Sequence, residues 1–225
     1  MRQREFIKKA GVEAVVWIDP RKVHYHAGSM HPVAVRKITA MKRQYPKFIV
    51  DYTRPFIKAR EPFVISHSSI NDLPKIEENS RYIKLVDFIE ADGNVKETVW
   101  YREMVADVKQ KGEARYKRVR LRDEDAVLEF LRGYVTALVH SMRINGYDDP
   151  NGGYEATGMI DASGSICKTE HGDHRFCIAR ILGLERFPLK IIGIHEDHFG
   201  SGHSPGAATY ARALELIRAA GDRFA

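Results

Sequence analysis

The stretch that decides the fold runs from His171 to His195 and reads H-G-D-H-R-F-C-I-A-R-I-L-G-L-E-R-F-P-L-K-I-I-G-I-H. Ahead of it, Gly158 to Lys168 alternates about a Ser163-Gly164 turn, the pattern of a β-hairpin. Gly172 then stands where the chain leaves a strand and enters a short helix, and Leu189 to Ile194 supplies the next strand. Such a place suits an anion. The first N–H groups of a helix carry partial positive charge, and a glycine has no side chain to keep a phosphate away from them. Arg175 adds a planar, permanently charged fork within the first turn, while Asp173 and His174 add a carboxylate and a titratable ring. Taken by spacing alone, G-x-x-R fits a surface ion pair as well as a ligand site.

The whole pattern carries more than the turn. The hairpin, G-D-H-R, Ala179, Leu182-Gly183-Leu184, Pro188 and the apolar strand together resemble the G-x-[HR]-R…A…LG…P segment of the ParB and sulfiredoxin superfamily. That resemblance implies an α/β (α+β) fold with a mixed sheet core and flanking helices. It also implies a nucleotide, ATP or CTP (or ADP) with Mg²⁺, held at Gly172, Asp173, His174 and Arg175. Gly172 and Arg175 match the turn glycine and the phosphate-binding arginine, and His174 stands where sulfiredoxins have histidine. Asp173 replaces the sulfiredoxin cysteine, so sulfinic-acid repair is not expected, and Cys177, past the helix start, does not substitute for it. Thr98-Val99-Trp100-Tyr101 and Ser141-Met142-Arg143 to Asn145-Gly146-Tyr147 are similar to a set of microbial proteins of unassigned activity that end in a G-x-H-R motif.

Composition bounds the remaining possibilities. The 225 residues suffice for a substantial core, and 44% hydrophobic with 29% charged residues is ordinary for a globular chain. No apolar run approaches the roughly 20 residues of a membrane span, and Met1 to Lys9 is charged with no apolar region behind it, so a cytoplasmic protein without a membrane partner is expected. The two cysteines fit neither a redox pair nor a zinc site. A net charge of +6 favours anionic partners, nucleic acid among them, with basic clusters at Arg2 to Lys9, Lys37 to Lys47 and Arg115 to Arg122. Composition fixes no oligomeric state.

Taken in order, residues 1–80 read as an N-terminal elaboration, 81–203 as the core with a helical segment, and 204–225 as a docking helix. Glu13 to Ile18 is a strand ending at Asp19-Pro20, and Lys22 to Ala27 a strand with His24 and His26 on its open face. Pro32 opens a helix that stops before Pro46. Phe48 to Val50 reads as a strand. Asp51 to Pro62 reads as a strand or loop with buried aromatics, or as a stacking platform for a nucleic acid strand. Asn71 to Ser80 reads as a linker, Tyr82 to Ile89 as a strand, and Val99 to Gly112 as a helix capped by Thr98. The longest helix runs from an Asp123 cap to Asn145-Gly146. After the last strand, His195, Glu196, Asp197, His198 and His203 mix imidazoles and carboxylates in a mobile, partly functional loop. Ser204-Pro205 then opens a helix that ends at Gly221.

These readings favour a nucleotide- or phosphate-binding protein, with phosphoryl transfer or nucleotide hydrolysis as the chemistry. Arg175 would hold phosphate, Asp173 and Glu196 are the metal candidates, and Asp173, His174, His195 and Glu196 are the catalytic candidates. Two alternatives stand beside it: a ParB-like DNA-binding protein or nuclease, and a non-catalytic ligand-sensing module.

Overall fold

Nine consecutive residues, Phe187–His195, form the strand β7 around which the chain is wrapped, and all but Lys190 are buried. In the computed structural model, which describes residues 1–66, 70, 73–148, 156–200 and 207–225, β7 takes β5 (Thr157–Ile160) as a parallel neighbour. Along its other edge lie β1 (Val15–Ile18), antiparallel, and then the short β2 (Val64–Ile65), parallel. Beyond β5 comes β6 (Ile166–Lys168), joined to it as the antiparallel hairpin that the Ser163-Gly164 turn implies. The mixed α/β class stands; of the two strands read near the N-terminus, Glu13 to Ile18 supplies β1, while Lys22 to Ala27 is no strand and makes only isolated bridges at Tyr25 and His26.

Alternation along the strands sorts residues to two faces. Ile160, Ile166, Leu189 and Ile191 face the larger core, where helix α8 (Asp173–Ile181) contributes Phe176 and Ile178. Met159, Cys167 and Ile192 face a smaller core, packed with Ile65, Ile70 and the partly buried Ala27, Met30 and Val33. The larger core is closed by α1 (Gln3–Ala10), α4 (Ser80–Glu90), α5 (Val99–Lys111), and α10 (Ala207–Phe224). It is also closed by one continuous helix that comprises α6 (Glu124–Phe130), a π-helical stretch Leu131–Thr136, and α7 (Ala137–Asn145). A two-stranded hairpin, β3 (Ala114–Tyr116) and β4 (Val119–Leu121), stands apart from the sheet.

Several expectations hold to the residue. Thr98 Oγ1 accepts from the Tyr101 N–H at 3.1 Å, and Gly112 closes α5 in the left-handed conformation. Asp123 accepts from the Ala126 N–H at 2.7 Å and starts the long helix.

Others are corrected. Tyr82 to Ile89 lies in α4, not in a strand: Asn79 accepts from the Arg81 N–H at 2.9 Å, and Leu85 and Phe88 bury one helical stripe. Phe48 to Ala59 lies in α3 (Lys47–Ala59), which packs on α2 (Pro32–Lys42) through Ala34, Ile38 and Val50. That packing carries the helix across Pro55, and Thr53 Oγ1 bonds back to the Ile49 carbonyl at 2.8 Å. Glu61, 2% exposed, fixes the pair by accepting from the N–H groups of Val33 and Ala34 at 2.9 and 2.8 Å, at the positive end of α2. Gly221 does not end α10. A side chain there would meet Val16 at 2.9 Å, so glycine lets the helix lie close on β1.

The Asn71 to Ser80 linker is described only in part, with Ile70 and residues 73–80 in place. Ser204-Pro205 and His203 lie outside the described residues. From His195 the chain enters a short helix, α9 (Glu196–Phe199).

Candidate functional site

At the turn between β6 and α8, Gly172 adopts φ 73°, a left-handed conformation that glycine takes without strain. A Cβ there would meet Ala156 at 2.5 to 2.8 Å. The missing side chain thus makes room for the start of β5, whereas the sequence reading gave the room to a ligand. Three N–H groups at the α8 start have no partner within the helix.

Lys168, the last residue of β6, explains how the turn holds its shape. It shares a face with Ile166, is 0% exposed, and lies 5.6 Å from the Phe176 ring. Its ammonium donates to the carbonyls of Thr169 and, at 2.5 Å, His171, and lies 3.2 Å from Asp173 Oδ1. Burial pushes its pKa down, opposed by Asp173.

Asp173, itself 4% exposed, also receives Arg81 at 2.5 Å and His26 Nε2 at 3.1 Å. Burial alone would push the Asp173 pKa up; the His26 hydrogen bond and the charges of Lys168, His26 and Arg81 outweigh it and hold the carboxyl low. The sequence reading left Asp173 open to a metal or a proton. In the fold both its oxygens are occupied.

His26 is the largest departure from the sequence reading. Its residue type was noted on an open strand face, yet it is 8% exposed. The segment around it runs along β6: Lys168 N–H donates to Tyr25 at 2.9 Å, and Glu170 N–H to Gly28 at 2.7 Å. Gly28 N–H donates to His26 Nδ1 at 3.0 Å, which leaves Nε2 toward Asp173. The N-terminal elaboration is therefore one wall of the turn.

Two adjoining hollows of about 380 and 340 Å³ meet over this turn and share Arg81, Glu170, Asp173 and His174. One also takes Ser29, Lys84, Trp100 and Tyr116; the other takes Lys117, Tyr134, Gly172 and Arg175. Local structure sets each of these. The Asn79 cap puts Arg81 and Lys84 one turn apart on α4. Lys117, at φ 54°, forms the tip of the β3–β4 hairpin. The π-helical stretch brings in Tyr134. Lys84 is paired with Glu103.

His174 lies in an aromatic slot. Its ring stacks on Trp100 at 5.8 Å and 18°, and Tyr116 Oη lies 3.3 Å from Nε2. Burial, reinforced by Arg81 and Lys117, pushes the His174 pKa down to about 4, so the ring is neutral at physiological pH. Tyr116 is pushed up, by burial first and then by Tyr134. Cys177, 3% exposed, has its thiol pushed up to about 12 by burial, which leaves no ready thiolate.

Gly172, Asp173, His174 and Arg175 are brought together; His195 and Glu196 are not with them. Gly172 is level with Ala156, next to Thr157, which pairs with Lys190 of β7. His195 lies five residues further along β7, about 16 Å from Lys190 along the strand, and is 1% exposed, its Nδ1 accepting from the Asp197 N–H at 3.2 Å. Asp173 lines the two hollows and Glu196 does not. Among the described residues, no group of three or more His, Cys, Asp or Glu is placed to hold a metal ion. Among them too, no helix is long and apolar enough to cross a membrane.

Arg81, Lys84, Lys117, Lys168, Glu170 and Tyr116 escaped the sequence reading, and His26 was read as exposed. Only the basic cluster at Arg115 to Arg122 gave a signal, for Lys117. No protein-family model matches the chain, and neither a curated protein nor a solved structure matches it.

Proposed function

We propose that the cleft over Gly172 to Arg175 binds a phosphorylated small molecule, a nucleotide foremost, with its phosphate at the start of α8 and its flat part against the aromatic wall. The observation that carries this reading is the excess of cations at a helix start. Arg81, Lys84, Lys117 and Arg175 line the two hollows, where Glu170 and Asp173 are the acidic residues. Asp173 is moreover spent on holding Lys168, Arg81 and His26. An anion placed there faces these cations and the start of a helix, and gains charge-assisted hydrogen bonds from them. The resemblance of G-D-H-R and its flanks to the ParB and sulfiredoxin superfamily supports the same ligand class.

In this reading Arg175 and Lys117 bind phosphate, and Asp173 is a positioning residue for the turn and for Arg81. His174, held neutral, hydrogen-bonds the ligand through a ring nitrogen. Magnesium, where it accompanies the phosphate, neutralises charge, and Glu170 at the rim is the carboxylate that remains to hold it. Phosphoryl transfer or hydrolysis needs mainly such positioning and charge neutralisation.

The test is a thermal-shift series with ATP, ADP, CTP and GTP, each with Mg²⁺, on the native chain and on Arg175→Ala. A ligand that binds the folded state raises its melting temperature. One nucleotide is expected to stabilise the native chain and not the variant; equal shifts in both, or none in either, would overturn the reading. Phosphate release with the stabilising nucleotide then separates an enzyme from a ligand-sensing module.

A further inference from the structure

Positive charge is not spread evenly over this chain. Residues 32–60, the α2–α3 pair, hold eight Lys and Arg and one acidic residue, Asp51, a net charge of +7 against +6 for all 225 residues. The rest of the protein is close to neutral. From Lys42 to Phe48, across the turn between the helices, every residue is exposed.

The same helix pair exposes aromatic rings in a row. Phe48, Tyr52 and Phe56 are 73%, 74% and 59% exposed and recur every fourth residue, so they stand along one face of α3, about one turn apart. Tyr52 and Phe56 have ring centroids 5.8 Å apart. Val50 and Ile57 point the other way, into the small core shared with α2. The rings therefore do not hold the pair together, and three large rings in water need another reason to be there.

We propose that α3 and the turn before it bind single-stranded nucleic acid, with bases stacking on Phe48, Tyr52 and Phe56 and phosphates meeting Lys42, Arg43 and Lys47. A row of rings beside a cationic strip is what a strand with unpaired bases requires, because every base has a face to stack and every linkage a charge to neutralise. A duplex hides those faces. A bilayer surface is less well served, since Val50 and Ile57 are turned inward and the large apolar side chains that α3 exposes are rings. This proposal does not rest on the cleft at Gly172.

The experiment uses the full chain and a fluorescein-labelled strand of about 20 thymidines, followed by anisotropy at about 50 and 200 mM salt. The native chain is expected to bind the strand more tightly than a duplex of equal length. Phe48→Ala/Tyr52→Ala/Phe56→Ala is expected to weaken binding about fivefold or more per ring, hence about a hundredfold together. Its melting temperature is measured alongside, to show that it folds. Arg43→Gln/Lys47→Gln is expected to reduce the slope of log K on log salt by about 0.7 for each cation lost. No binding at the lower salt, tighter binding of the duplex, or a triple variant that folds and binds like the native chain would each overturn the proposal. So would a triple variant that loses only binding to phosphatidylserine vesicles, or only self-association in sedimentation, since the rings would then serve a membrane or a second copy.

Discussion

The Gly172 cleft and the α2–α3 pair are both rich in cations, but they hold them differently. In the cleft a buried carboxylate organises the charges: Lys168, Arg81 and His26 all converge on Asp173. On the helix pair, Lys42, Arg43 and Lys47 lie in solvent, and the fold beneath them depends on Ala34, Ile38 and Val50. Charge in the first region is part of the structure; in the second it is carried on the structure. Substitutions should therefore cost stability in one place and affinity in the other.

The sharpest test of that contrast is Asp173→Ala, which leaves Lys168 buried without its carboxylate. Removing one partner of a buried pair costs about 3–5 kcal/mol, and urea unfolding should show a loss of that size. Next comes Gly172→Ala, where a left-handed residue with a side chain costs about 1–2 kcal/mol before its clash with Ala156 is counted. A total loss of about 2 kcal/mol or more is expected by the same measurement. Either variant retaining native stability would break the comparison.

A pH-dependent effect follows from His174. Its folded pKa of about 4 lies below the ordinary value of 6.5. Between those two values the unfolded chain binds a proton that the folded chain refuses, so stability falls as pH drops through that window, by at most about 1.4 kcal/mol per pH unit for one proton. His174→Phe keeps a ring against Trp100 and should flatten the slope between pH 6.5 and 4. Smallest of all is the effect of removing the three α3 rings on folding. The triple alanine variant should stay within about 0.5 kcal/mol of the native chain per site, because none of the rings belongs to a core.

How much of this was legible depended on range. The β5–β6 hairpin, the Gly172 turn, the Thr98 and Asp123 caps and the long helix follow from residues within a few positions of one another. Tyr82 to Ile89 misled because a short apolar run fits a strand or a helix, and the decisive signal, the Asn79 cap, sits outside the run. Pro55 and the aromatic residues hid α3, since nothing local announces that α2 will support it. The heart of the cleft was least visible. His26 and Arg81 lie 147 and 92 residues from Asp173 in the chain, and Lys168 looks like any lysine at a strand end until the fold buries it.

That separation also sets an order of events. A contact between His26 and Asp173 closes a loop of most of the chain, and loop closure over such a distance comes late, after local helices and hairpins have formed. On the ribosome, the first eighty residues emerge long before their partner at Asp173. Until it arrives the N-terminal segment must wait with a buried-type histidine still exposed, and the pocket matures only after Asp173 has joined it.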